Sequence, residues 1–165
     1  MQTRRKEEPV KTRIQYAQSA PGVYDAMHGL ETYTASCGIE EGLLHLIRLR
    51  ASQINGCAYC LDMHWKDLRV IGETEQRLYS LDAWRECPYY TVRERAALAW
   101  TEAVTLITDG HVPDEVYAAV SPQFTKKELA DLTLAVAAIN AWNRLSIAAR
   151  LEAGGYQPVA AETIK

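Results

Sequence analysis

The stretch "HLIRLRASQINGCAYCLDMHWKDLRVIG", residues 45–72, decides the fold. It reads as two helices broken at Asn55-Gly56. Upstream, over Ile39 to about Ile54, Leu43, Leu46, Ile47, Ala51 and Ile54 recur on one face at helical spacing. Downstream, residues 57–71 resume the period, with Asn55 near the N-cap and Gly72 as the stop. On that helix Cys57, Cys60 and His64 fall within about 60° of arc, and Leu61, Leu68 and Ile71 share it. Both sulfurs and the imidazole are therefore expected on the core-facing stripe.

Working outward, helical signals continue in both directions. Residues 22–36 form a loose amphipathic stretch that Gly38 ends, and a shorter piece covers 74–84, closed by Pro88. Thr91 with Glu94, and Thr125 with Glu128, are capping boxes. After the first, Ala97, Trp100, Thr101, Val104 and Thr108 trace one stripe. Asp109-Gly110 is a turn, and Pro113 suits the first position of another helix. After the second capping box, Leu129, Leu132, Val136, Ile139 and Ile147 mark the longest helix, running to about Glu152 before Gly154-Gly155. No segment alternates as a strand. The expectation is an all-α, single-domain helical bundle of six or seven helices over residues 13–156. Residues 1–12 read as a flexible N-terminus and 157–165 as a tail.

Composition excludes several function classes. The chain has 165 residues and a formal net charge of −3, with 48% apolar and 24% charged residues, which is ordinary for a globular protein. Its one basic cluster, Arg4-Arg5-Lys6, is followed at once by Glu7 and Glu8, so nothing calls for nucleic acid. No run of eighteen apolar residues suggests a membrane span, and no apolar N-terminal segment suggests a secretory signal. A cytoplasmic location is expected, where thiols stay reduced and a close cysteine pair is catalytic or metal-binding rather than structural.

Three readings of the Cys-Cys-His group follow from the residues alone. It is a redox dithiol, a metal site, or two buried cysteines beside a core histidine. The first turn of a helix favours a thiolate through its free N–H groups and dipole. Lowering a thiol pKa by about two units raises the thiolate fraction at pH 7 roughly 25-fold, but it costs about 6- to 10-fold in nucleophilicity. A working site must therefore also place its substrate and protonate the leaving group. For a metal, CxxCxxxH offers three ligands, but three on one helix surround an ion poorly.

The stretch "LIRLRASQINGCAYCLDMHWKDLRVIGE", 46–73, resembles the core of the alkylhydroperoxidase D-like (AhpD-like) family, within the carboxymuconolactone decarboxylase superfamily. "ERAALAWTEAVT" (94–105) and "INAWNRL" (139–145) extend the likeness over about 40–150. The resemblance implies a helical fold that self-associates as a dimer, trimer or hexamer. It also implies an antioxidant thiol peroxidase acting on hydrogen peroxide or organic hydroperoxides. Cys60 would attack the peroxide, Cys57 would resolve the sulfenic acid as a redox-active disulfide, and His64 would relay protons. A dithiol reductant, of lipoyl type in well-known relatives, would restore the thiols, with no metal or organic cofactor required. His45 stands where the family usually carries a relay glutamate, and Tyr59 where its peroxidases can carry a histidine. Glu40, Glu41 and Asp62 are the nearby carboxylates considered as substitutes. The alternatives are a non-catalytic thiol switch, a metal-binding module using CxxCxxxH, or decarboxylation of a lactone acid, whose chemistry does not call for a CxxC.

The remaining candidates read as structural. Asn140 and Asn143 lie on an apolar stripe and need partners, with a helix end or the Asn55 turn favoured over a pocket or subunit contact. Arg144 suits an ion pair, Cys37 and Cys87 packing, and His28 and His111 solvent. Trp65, Trp84, Trp100 and Trp142 suit packing or a subunit interface.

Overall fold

A computed structural model describes residues 11–158, so the N-terminal segment expected to be flexible and the expected C-terminal tail lie almost wholly outside the described residues. The described residues are all-helical. In chain order they form α1 (Tyr16–Ser19), α2 (Pro21–Ala35), α3 (Glu41–Asn55), α4 (Ala58–Val70), α5 (Glu75–Tyr79), a 3₁₀ turn (Leu81–Ala83), α6 (Val92–Thr105), α7 (Asp114–Val120) and α8 (Lys126–Ala149). The two elements beyond the expected seven are the single-turn α1 and the 3₁₀ turn. That turn splits off from the stretch read as 74–84.

Helix α3 is the centre of the bundle and packs against α4, α6 and α8. Leu43, Leu44 and Ile47 meet Ala97 and Trp100 of α6 and Leu132 and Val136 of α8. Leu46 and Leu49 meet Leu68 of α4, Leu78 and Trp84. Ala51 closes a third cluster with Cys57, Cys60 and Ile139. A helix buried on several faces departs from one-stripe amphipathicity, and Arg48, at 7% exposure, shows how far that burial goes.

Both capping boxes form, at Thr91 and Thr125, each reciprocal with the glutamate three residues on. Several boundaries differ from the sequence reading. α6 ends at Thr105, which leaves Thr108 exposed beyond it, and Pro113 is the N-cap of α7 rather than its first residue. α8 stops at Ala149 on a left-handed Arg150 (φ 54°), before the glycine pair, and Ile147 is 47% exposed. The chain does not leave the bundle there. Lys66 Nζ donates to the carbonyls of Gly154 and Tyr156, and Gly154 N–H donates to Asp62, so residues 151–156 fold back along α4. Among the described residues no helix is long and apolar enough to cross a membrane.

Candidate functional site

The turn between α3 and α4 builds the site. Gly56 takes a left-handed conformation (φ 69°) and ends α3 through its N–H to the Gln53 carbonyl. Asn55 is therefore the last residue of α3 rather than a cap of α4. Its side chain donates to Asn140 Oδ1 and Asn143 Oδ1, both at 2.9 Å. Asn143 in turn donates to Ser52 Oγ at 3.0 Å, and Asn140 to Thr105 Oγ1 at 3.0 Å. This amide network pins the turn to α8, as expected of the two asparagines. Arg144, expected in an ion pair, donates instead to Asn140.

Cys57 is the N-cap of α4 and Cys60 its third residue. The sulfurs stand 2.9 Å apart and share a hydrogen bond, and each residue is 1% exposed. They titrate as one unit, because whichever sulfur keeps the proton stabilises charge on the other. The Cys60 thiol brings Cys57 down to about 6 from an ordinary 9.0, against the opposing effect of burial. The Cys60 backbone amide adds to this without completing a cap hydrogen bond, and Ser146 and Asn143 help further. Cys60 is correspondingly pushed up, first by its bond to Cys57 and then by burial. Loss of one proton therefore leaves a single charge shared by the two sulfurs, in a direction that favours Cys57. Cys60, not Cys57, lines a cavity of about 360 Å³, with Ser146 Oγ 3.8 Å from its sulfur.

His64 and His45 share that cavity wall. Their Nδ1 atoms are 3.4 Å apart, and Asp67 Oδ2 is 3.7 Å from both. Burial pushes both histidines below their usual range, His45 to about 4, so both rings are neutral at pH 7. Burial works against Asp67, but His64 and the Tyr156 hydroxyl, donating at 2.7 Å, hold it below the ordinary carboxylate value. No hydrogen bond joins His64 to either sulfur, and its Nε2 is buried without a partner among the described residues.

The carboxylate that lies beside both histidines is Asp67, which sequence reasoning missed. Glu40 pairs with Arg93 and Asp62 with Lys66, while Glu41 reaches only to 4.0 Å from His45 Nε2. The i,i+3 spacing of His64 and Asp67 was the available signal. Tyr24 and His28 of α2 were also missed, and they stack edge-on around Trp142 at the cavity. His28 is exposed, as expected, but it has aromatic companions. Trp84 and Trp100 are core residues, and the indole N–H of Trp142 donates to Glu31. Cys37 and Cys87 stay apart from the pair as free thiols. Among the described residues, the group of ligand atoms that clusters tightly enough for a metal is His45, His64 and Asp67, without a cysteine.

A helical bundle with a buried CxxC at a helix N-terminus, facing a histidine-lined cavity, defines an AhpD-like protein. The chain belongs to the carboxymuconolactone decarboxylase family, whose model matches residues 21–103. It is 46% identical over 136 residues to the uncharacterized protein YdfG of Bacillus subtilis (strain 168), covering 82% of this chain and 92% of that protein. Its structure is similar to that of ATU0492 from Agrobacterium tumefaciens, a protein of unknown function provisionally assigned as the antioxidant defence protein AhpD. That match has a TM-score of 0.85 and 43% identity, covering 88% of this chain and all of the other. The debrominase Bmp8 shares the fold at 18% identity and a TM-score of 0.68, covering 82% of this chain and 73% of that one.

Proposed function

We propose that the protein is a thiol-dependent peroxidase reducing hydrogen peroxide or small organic hydroperoxides through Cys57 and Cys60. The observation that carries this reading is the buried sulfur pair, 2.9 Å apart, with Cys60 on the wall of a closed-in cavity. Acidity favours charge on Cys57, and access favours attack by Cys60. A proton passing from Cys60 to Cys57 satisfies both.

The Cys60 thiolate attacks the distal peroxide oxygen, an S–O bond forms and the O–O bond breaks. The departing alkoxide takes the proton held by Cys57 and leaves as the alcohol. Cys60 is then a sulfenic acid. The regenerated Cys57 thiolate attacks that sulfur, and hydroxide leaves as the disulfide forms. His64, backed by Asp67 and His45, relays the proton that turns the hydroxide into water. An external dithiol, such as a lipoyl group, reduces the disulfide and is itself oxidised. The protein works as a homo-oligomer, without nucleic acid or membrane partners.

The test is peroxide consumption with dihydrolipoamide in excess. Cys60→Ser abolishes turnover, and Cys57→Ser stops after one equivalent at a sulfenic acid that dimedone traps. Undiminished turnover by Cys60→Ser contradicts the reading.

A further inference from the structure

The histidine pair and Asp67 hold a geometry that a single hydrogen bond, between the two rings at 3.4 Å, explains only on one side. His45 Nδ1, His64 Nδ1 and Asp67 Oδ2 form a nearly equilateral triangle with sides of 3.4, 3.7 and 3.7 Å. The two sides to Asp67 are too long for hydrogen bonds. A point in the plane of the three atoms lies about 2.1 Å from each of them, which matches the zinc–nitrogen and zinc–carboxylate bond lengths of about 2.0–2.2 Å. At that bond length the corners of a planar three-ligand set are about 3.6 Å apart, against about 3.0 Å for adjacent corners of an octahedron, so the triangle suits an ion of low coordination number with the three ligands nearly in its plane.

The surroundings fit the same reading. Tyr156 donates to Asp67 Oδ1 at 2.7 Å, which fixes the carboxylate and leaves Oδ2 facing the rings. This is the outer-sphere contact that orients a metal-binding carboxylate. Glu41 lies 4.0 Å from the far nitrogen of His45. His64 is 5% exposed, and its Nε2 has no partner among the described residues. The nearby Arg48 cation opposes a second positive charge, but Glu31 meets it at 2.7 Å. All three candidate ligands line the cavity, so a fourth coordination position would open onto it.

We propose that His45 from α3, with His64 and Asp67 from α4, binds a zinc-type divalent cation, leaving one coordination position open to the cavity. Three protein ligands and an open position are the pattern of reactive rather than structural zinc. The site uses no sulfur, so it stands apart from a CxxCxxxH metal site and does not depend on the peroxidase reading.

Cobalt(II) is the probe, added to chelator-stripped, fully reduced protein. The expected result is one cobalt per chain, with saturable visible bands, no sulfur-to-cobalt charge transfer, and displacement by zinc. The Cys57→Ser, Cys60→Ser double variant binds equally well. Asp67→Asn and His45→Gln, checked for native circular dichroism, bind at least about 100-fold more weakly, since even an outer-sphere loss costs about 10- to 100-fold. No saturable binding at micromolar cobalt overturns the proposal, as does binding that survives Asp67→Asn but disappears in the double cysteine variant. Either outcome leaves the peroxide assay to decide the thiol chemistry separately.

Discussion

Replacing Cys60 with alanine tests what makes the pair acidic. The hydrogen bond from Cys60 is the largest influence bringing Cys57 to about 6, while burial works against it. At pH 7 a thiol of that strength is about 90% thiolate. In Cys60→Ala the sulfur partner is gone, but burial and the weaker aid of Ser146 and Asn143 remain. Cys57 should then rise to between about 8 and its ordinary 9.0, leaving about 1–10% thiolate at pH 7, a fall of about 10- to 100-fold. The assay is ultraviolet thiolate absorbance of reduced protein against pH, with the Cys57→Ala, Cys60→Ala double variant as the blank. A midpoint that stays near 6 in Cys60→Ala would show that the helix N-terminus, not the second sulfur, sets the acidity.

Three further outcomes follow from the same geometry. Burial holds His45 neutral down to about 4 rather than 6.5, so the unfolded chain binds a proton that the folded one refuses. Stability should be unaffected above pH 7 and fall between about 6.5 and 4, by up to about 3 kcal/mol from this ring. Urea unfolding across pH checks this, and His45→Gln should flatten part of the slope. Asn143→Ala strips partners from Asn55 and Ser52 inside the core and should cost about 1–3 kcal/mol in the same experiment. His64→Gln should slow disulfide formation by about 100-fold or more in stopped-flow mixing with peroxide. An unchanged rate there would remove the ring from proton transfer.

Much of the fold was legible because helices advertise themselves locally. Thr91 and Thr125 announced their capping boxes three residues ahead, and the apolar spacing of Leu43, Leu46, Ile47 and Ala51 placed α3 in the core. The sulfur pair was legible for the same reason, since one helical turn brings Cys57 and Cys60 together. What stayed hidden depends on tertiary folding. The i,i+3 spacing places Asp67 beside His64, but its contact with His45 comes from α3, and Tyr156 reaches Asp67 across 89 residues through the fold-back after α8. The stacking of Tyr24 and His28 on Trp142 joins α2 to α8 and leaves no periodic trace in either. The α8 stop at Arg150 was misplaced because the glycine pair gave the stronger local signal.

The most direct measurement is to react the reduced protein with one equivalent of cumene hydroperoxide and map the product by mass spectrometry. The account predicts rapid formation of a Cys57–Cys60 disulfide, with Cys37 and Cys87 still free and one equivalent of alcohol released. Intact Cys57 and Cys60 thiols after the peroxide has had time to react would contradict it.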